Sequence, residues 1–139
     1  HAFGAQGANG TRTVTTKDVF KAALYLASAT VDSTTTAYSG TGEVSGTGYT
    51  AGGVTVTNAT APANTGGTGI IAFWTPSASF AWTTVTLSTA FDAVLLYNDS
   101  NTAKAAVAVF TFGSQTVTAG NFTLTMPTND LTTGLIRLS

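Results

Sequence analysis

The acid–base groups of this 139-residue chain are few enough to name: Asp18, Asp32, Glu43, Asp92, Asp99 and Asp130, with a single histidine, His1. A Ser–His or Cys–His nucleophile needs an imidazole beside the attacking group. An imidazole at the first residue, with no cysteine anywhere, offers no such base. Zinc sites draw on Cys, His or clustered carboxylates, and beyond the single His1 the sequence has none of these. No two of the six acids lie close together, so a carboxylate pair for glycoside hydrolysis would have to be assembled by folding. They are expected to be solvated or turn carboxylates. The glycine-rich run from Gly46 to Gly52 lacks the following lysine of a phosphate-binding loop and reads as a turn or rim. Asn98-Asp99-Ser100-Asn101 gathers oxygen atoms without the spacing or glycine of an EF-hand loop, and reads as a hairpin turn. The expectation is a chain with no catalytic residue, no metal and no cofactor.

Two further sets of residues have a bland and a sharp reading. Trp74, Phe80 and Trp82 stand close together around Pro76, where they form either a stacking platform for sugars or core packing at a hairpin end. Core packing is expected. Sequons at Asn58, Asn98 and Asn121 arise by chance in a chain with 30 threonines and say little about secretion.

Charge narrows the field of partners. Asp, Glu, Lys and Arg make up 8% of the chain, against about 25% in an ordinary domain. The five basic residues, Arg12, Lys17, Lys21, Lys104 and Arg137, are scattered and the net charge is −1. Nucleic acid, whose affinity comes chiefly from phosphate neutralisation, is therefore not an expected partner. Nor is a membrane, because no run approaches the roughly 18 apolar residues of a span. A hydrophobic fraction of 43% is enough for a core and argues against disorder. His1–Gly10 has neither the basic nor the apolar region of a signal peptide.

The elements behind these residues read as strands. Thr, Val, Phe and Tyr dominate, side chains that fit a pleated and half-buried surface. Asn121–Met126 is the clearest strand, with Phe122, Leu124 and Met126 on one face and Pro127 ending it. Further strands are expected at Gly53–Thr60, Gly69–Thr75, Ala81–Leu87, Phe91–Asn98, Ala103–Phe112, Gln115–Ala119 and Gly134–Leu138. Val19–Ala27 is open between two readings. Thr15 and Asp18 could cap a helix, while apolar residues on both alternating faces suit a buried central strand. Ala29–Gly53 and Thr60–Thr68 are expected to be loops. Eight or so strands without crossover helices imply antiparallel pairing in two packed sheets.

Several segments in order carry a family resemblance. They are Lys21-Ala22-Ala23-Leu24-Tyr25, then the glycine-rich motif from Glu43 to Gly53. Leu95-Leu96-Tyr97-Asn98-Asp99-Ser100 follows, then Val107–Gly113, then Gly120–Leu124 with Pro127. The stretch from Lys21 to Leu138 resembles small virion proteins of tailed bacteriophages, among them head decoration (cement) proteins with a jelly-roll-like sandwich. The resemblance implies that Lys21–Ala27 is a strand and that Glu43–Gly53 is a structural motif rather than a site. It implies no catalysis and a place on the outer surface of the head. The implied partners are the phage major capsid protein and other copies of the chain, as dimer or trimer. The alternatives are a tail or head-fibre module contacting the host, or a carbohydrate-binding or adhesin sandwich.

The resulting expectation is an all-β chain: an antiparallel two-sheet sandwich, jelly-roll-like, with an extended N-terminal arm. The arm covers residues 1–18 and a single sandwich domain covers residues 19–139. The composition of His1–Gly10 specifies no structure of its own, and a terminus of this kind becomes ordered only when something holds it. Phe3, with Gly4, Ala5 and Gln6, is the expected contact with a capsid subunit or a neighbouring copy.

Overall fold

Phe20–Leu26 is apolar on both faces, and that property places it inside a sheet. In the computed structural model, which describes residues 18–57, 63–65 and 71–138, this run is strand β1. The helix reading of Val19–Ala27 does not hold. Phe20, Ala22 and Leu24 enter one buried apolar cluster, while Ala23 and Tyr25 enter a second on the opposite face. A helix would turn these side chains around an axis, whereas the period of two sends them to opposite sides of a sheet.

The other strands are β2 (Val54–Thr55), β3 (Ala63–Thr65), β4 (Ile71–Trp74), β5 (Phe80–Asn98), β6 (Ala106–Leu124) and β7 (Ile136–Leu138). They form two antiparallel sheets, one in the order β2-β1-β5-β6 and the other in the order β3-β4-β7. Trp74 of the smaller sheet lies in the same buried cluster as Phe20, Leu24, Val94 and Leu96 of the larger one, and Ile136 packs against it. The two sheets therefore share one core.

The expected strand count needs correction. Ala81–Leu87 and Phe91–Asn98 are one 19-residue strand, β5. The three runs expected between Ala103 and Met126 are likewise one 19-residue strand, β6. Ser88-Thr89-Ala90 and Gly113-Ser114 look like breaks, but the pair absorbs them as register shifts, including those between Leu87 and Phe91. Such bulges bend and twist a ribbon without ending it. Thr84 and Ala119, with φ of 54° and 46°, mark another irregular stretch of the same ribbon. Ala63–Thr65, expected within a loop, is a short strand paired with β4. The expected run Gly53–Thr60 shrinks to Val54–Thr55, its last three residues lying outside the described residues.

Other expectations stand. Phe122, Leu124 and Met126 all pack on the first cluster, and Asn121, Thr123 and Thr125 are exposed. Phe122 meets Phe91 edge-on, with ring centroids 5.0 Å apart at 87°, tying β6 to β5. The β5–β6 turn is built by its own amides. Asn98 Oδ1 accepts the N–H groups of Ser100 (3.0 Å) and Asn101 (3.2 Å), and Asn101 Oδ1 accepts that of Ala103 (2.8 Å). No helix among the described residues is long and apolar enough to cross a membrane. The contact expected at Phe3, Gly4, Ala5 and Gln6 lies outside the described residues, as does the arm up to Lys17.

Candidate functional site

The motif Glu43–Gly53 lies directly against the larger sheet and takes up hydrogen bonds that β1 and β5 would otherwise present at an edge. Val44 N–H donates to Leu24 O at 3.0 Å and Leu26 N–H to Gly42 O at 2.9 Å. Farther on, Thr86 N–H of β5 donates to Thr47 O at 2.9 Å. Glycine is what allows the backbones to come this close. A Cβ on Gly46 would stand 2.1 Å from Thr86 O, and one on Gly53 would stand 1.9 Å from Ala22 O. Gly53 also has φ +75°, in the left-handed region.

This packing brings the chain's only glutamate together with its four tyrosines. Tyr38 Oη donates to Glu43 Oε2 at 2.6 Å, and Tyr49 Oη donates to Glu43 Oε1 at 2.7 Å. Gly52 N–H donates to the same Oε1 at 2.7 Å. Tyr97 Oη donates to Gly52 O at 2.8 Å, and its ring stacks on Tyr38 with centroids 4.5 Å apart. Tyr25 Oη donates to Ser39 O from the neighbouring turn. Tyr49 Oη also accepts Leu24 N–H at 3.0 Å, so a single phenol joins the carboxylate to the backbone of β1.

The electrostatics hold these phenols neutral. Burial, reinforced by the hydrogen bond to Glu43, raises Tyr38 and Tyr49 far above the usual tyrosine range. Tyr97 is pushed up to about 12 by burial first, then by the charges of Asp99 and Glu43. Burial also raises Tyr25. A group serving as acid or base near neutral pH needs a pKa close to that pH. These phenols move the other way, and the arrangement acts as a clamp.

Asp18, Asp32, Asp99 and Asp130 also have partners. Asp99 sits between Lys104, in direct contact, and Lys21 at 3.1 Å, and these two ammonium groups hold its carboxyl below the usual range. The Lys104 ammonium lies 5.9 Å from the Tyr97 ring centre, linking this ion group to the tyrosines. Asp18 accepts a bond from Asn98 Nδ2 at 2.8 Å. Asp32 and Asp130 are turn carboxylates, lowered by the hydroxyl of Thr34 and by those of Thr132 and Thr133 respectively, with backbone N–H bonds added. Among the described residues no group of three or more His, Cys, Asp or Glu could hold a metal ion. Trp74 and Trp82 are each 2% exposed in the core and form no platform.

Glu43, expected with the other acids to be a solvated or turn carboxylate, is instead half-buried and held by Tyr38, Tyr49 and the Gly52 N–H, an arrangement made by packing the loop on the sheet. Tyr38 and Tyr49 stand five and six residues from it in sequence, whereas Tyr25 and Tyr97 arrive from β1 and β5. The one available signal was that the sole glutamate lies in the glycine-rich run. Neither a family model, nor a curated protein, nor a solved structure matches this chain.

Proposed function

We propose that this chain is a bacteriophage head decoration (cement) protein. It would sit on the outer surface of the head, bridge seams between copies of the major capsid protein, and oppose their separation. The mechanism is mass action: whatever binds only the intact lattice stabilises it. A jelly-roll-like stacking of the two sheets belongs to the same reading, supported by the apolar cluster that Trp74 shares with the larger sheet.

The observation that carries the reading is the surface of β6. From Ala105 to Asn129 the chain has no Asp, Glu, Lys or Arg, and β6 ends its sheet. The core of a protein–protein contact is depleted in charge. Small Thr, Ser, Gly and Ala side chains also lose less rotamer freedom on burial than Lys or Glu. With Glu43, Asp18, Asp32, Asp99, Asp130, Lys21 and Lys104 committed to turns, ion groups and the tyrosine clamp, the domain would offer area rather than chemistry. It would act without catalysis, cofactor or nucleic acid, as a dimer or trimer in the virion.

The test is sedimentation of the purified chain with heads of the virus that encodes it. A saturable, stoichiometric ratio to the major capsid protein and a raised head melting temperature are expected. A chain that stays in the supernatant at all concentrations overturns the reading. A tail or head-fibre module would instead be found at few copies per particle. The carbohydrate-binding alternative loses its proposed platform, because Trp74 and Trp82 are buried.

A further inference from the structure

A shallow groove of about 470 Å3 runs between the Val31–Thr35 segment and the Ala106–Thr111 stretch of β6. On the β6 side it is lined by four consecutive residues, Ala106 to Val109. Successive side chains of a strand point to opposite faces. A groove touching four in a row therefore follows the edge of the strand, where backbone N–H and C=O groups point outward. Beyond Ala106, whose N–H donates to Thr36 O at 2.9 Å, no strand among the described residues pairs with this edge. The register with β5 is unbroken from Ala93↔Thr111 to Leu96↔Ala108, so the edge here is regular. Edges of this kind take up an added strand.

The groove wall carries one charge, the exposed Asp32. Just upstream of the described residues stands Thr11-Arg12-Thr13-Val14-Thr15-Thr16, a run of mostly β-branched residues suited to a strand. Arg12 and Lys17 are the only charges between Thr11 and Lys17, opposite in sign to Asp32. We propose that the groove takes this Thr11–Thr16 segment from a second copy of the chain as an added strand.

Reach decides between the same copy and another. The described residues begin at the β5–β6 turn, where Val19 N–H donates to Ser100 Oγ at 2.8 Å and Asp99 N–H donates to Val19 O at 2.8 Å. β1 lies on the far side of β5 from β6. Three strand spacings, about 14 Å, separate β1 from a strand added outside β6. The three residue steps from Thr16 to Val19 span at most about 11 Å. A strand ending at Thr16 therefore falls short of its own groove and is free to enter a neighbour's. The proposal does not depend on the shell reading, since two copies in solution suffice.

The chain has no cysteine, so single substitutions report the contact. Full-length chains carrying Val14→Cys are mixed with chains carrying Thr111→Cys or Ser33→Cys, both exposed positions lining the groove. Disulfide-linked dimers are then followed on non-reducing gels. Mixed dimers should form about tenfold faster than with Thr89→Cys, an exposed β5 position outside the groove, because binding raises the effective concentration. Asp32→Lys should slow the link. Rates equal to the Thr89 control for both groove positions overturn the proposal. A Val14→Cys, Thr111→Cys double variant that closes only within one chain overturns it as well. Fast self-linking of Thr111→Cys alone would instead report two β6 edges pairing, and would also reject it.

Discussion

The Tyr49 hydroxyl lies 2.7 Å from Glu43 Oε1 and 3.0 Å from the backbone nitrogen of Leu24, donating to the first and accepting from the second. One side chain thus fastens the Glu43–Gly53 loop to β1 at a point where β2 no longer pairs with the strand. The register with β2 covers only Lys21 and Ala22. Without the loop, the remaining edge of β1 would carry unpaired backbone groups into a mostly apolar setting, a costly arrangement.

Replacing Tyr49 with Phe keeps the ring and removes both bonds. The Leu24 N–H and one Glu43 oxygen then lose a partner. A loss of about 1–3 kcal/mol in unfolding free energy is expected by urea denaturation. A change within about 0.3 kcal/mol would show that water replaces the hydroxyl without penalty and that Tyr49 fastens nothing.

Alkaline pH should loosen the clamp. Tyr97 titrates near 10 when unfolded and is pushed up to about 12 in the fold, so the folded state holds its proton more tightly. Its contribution is present below pH 10 and declines as pH rises through 12. Tyr38 and Tyr49, raised further still, extend the decline upward. Melting temperature followed by circular dichroism should fall across that window, together with the rise of phenolate absorbance. Glu43→Gln removes the neighbouring negative charge and should bring phenolate formation to lower pH. Tyrosines that titrate normally in the folded wild-type chain would refute this account.

Gly46→Ala should destabilise strongly, because its Cβ would stand 2.1 Å from Thr86 O and 3.0 Å from Leu87 Cδ2. Overpacking of this sort costs about 1–3 kcal/mol. Gly113 is the control: a Cβ there meets nothing within 4 Å. Gly113→Ala in a strand interior should be neutral, or stabilising by up to about 1 kcal/mol. Equal effects at the two positions, measured by chemical denaturation, would contradict the close approach of loop and strand.

Trp74 and Trp82 are both in the core, each 2% exposed. Acrylamide should therefore quench the native fluorescence weakly, and denaturation should restore ordinary quenching. Soluble oligosaccharides should leave the emission unchanged. Efficient quenching in the native state would place a tryptophan at the surface and revive a role in sugar stacking.

Local chemistry by itself determined several elements of this protein. The two-faced apolar run at Phe20–Leu26 marks a segment buried on both sides, although its pairing with β5 is what made it a strand rather than a helix. The amides of Asn98 and Asn101 close the hairpin with bonds to residues two or three positions away. Alternation decided the facing of Phe122 and Leu124. Tertiary structure decided what depends on partners distant in sequence. Whether Ser88–Ala90 ends a strand or bulges within one turns on the opposing β6, which the local composition does not encode. The convergence of Tyr25, Tyr38, Tyr49 and Tyr97 around Glu43 likewise required the loop to be laid across β1 and β5. Tyr38 and Tyr49 are near Glu43 in the sequence, but no spacing announces Tyr25 and Tyr97, whose contacts follow from the path of the chain rather than from its local periodicity.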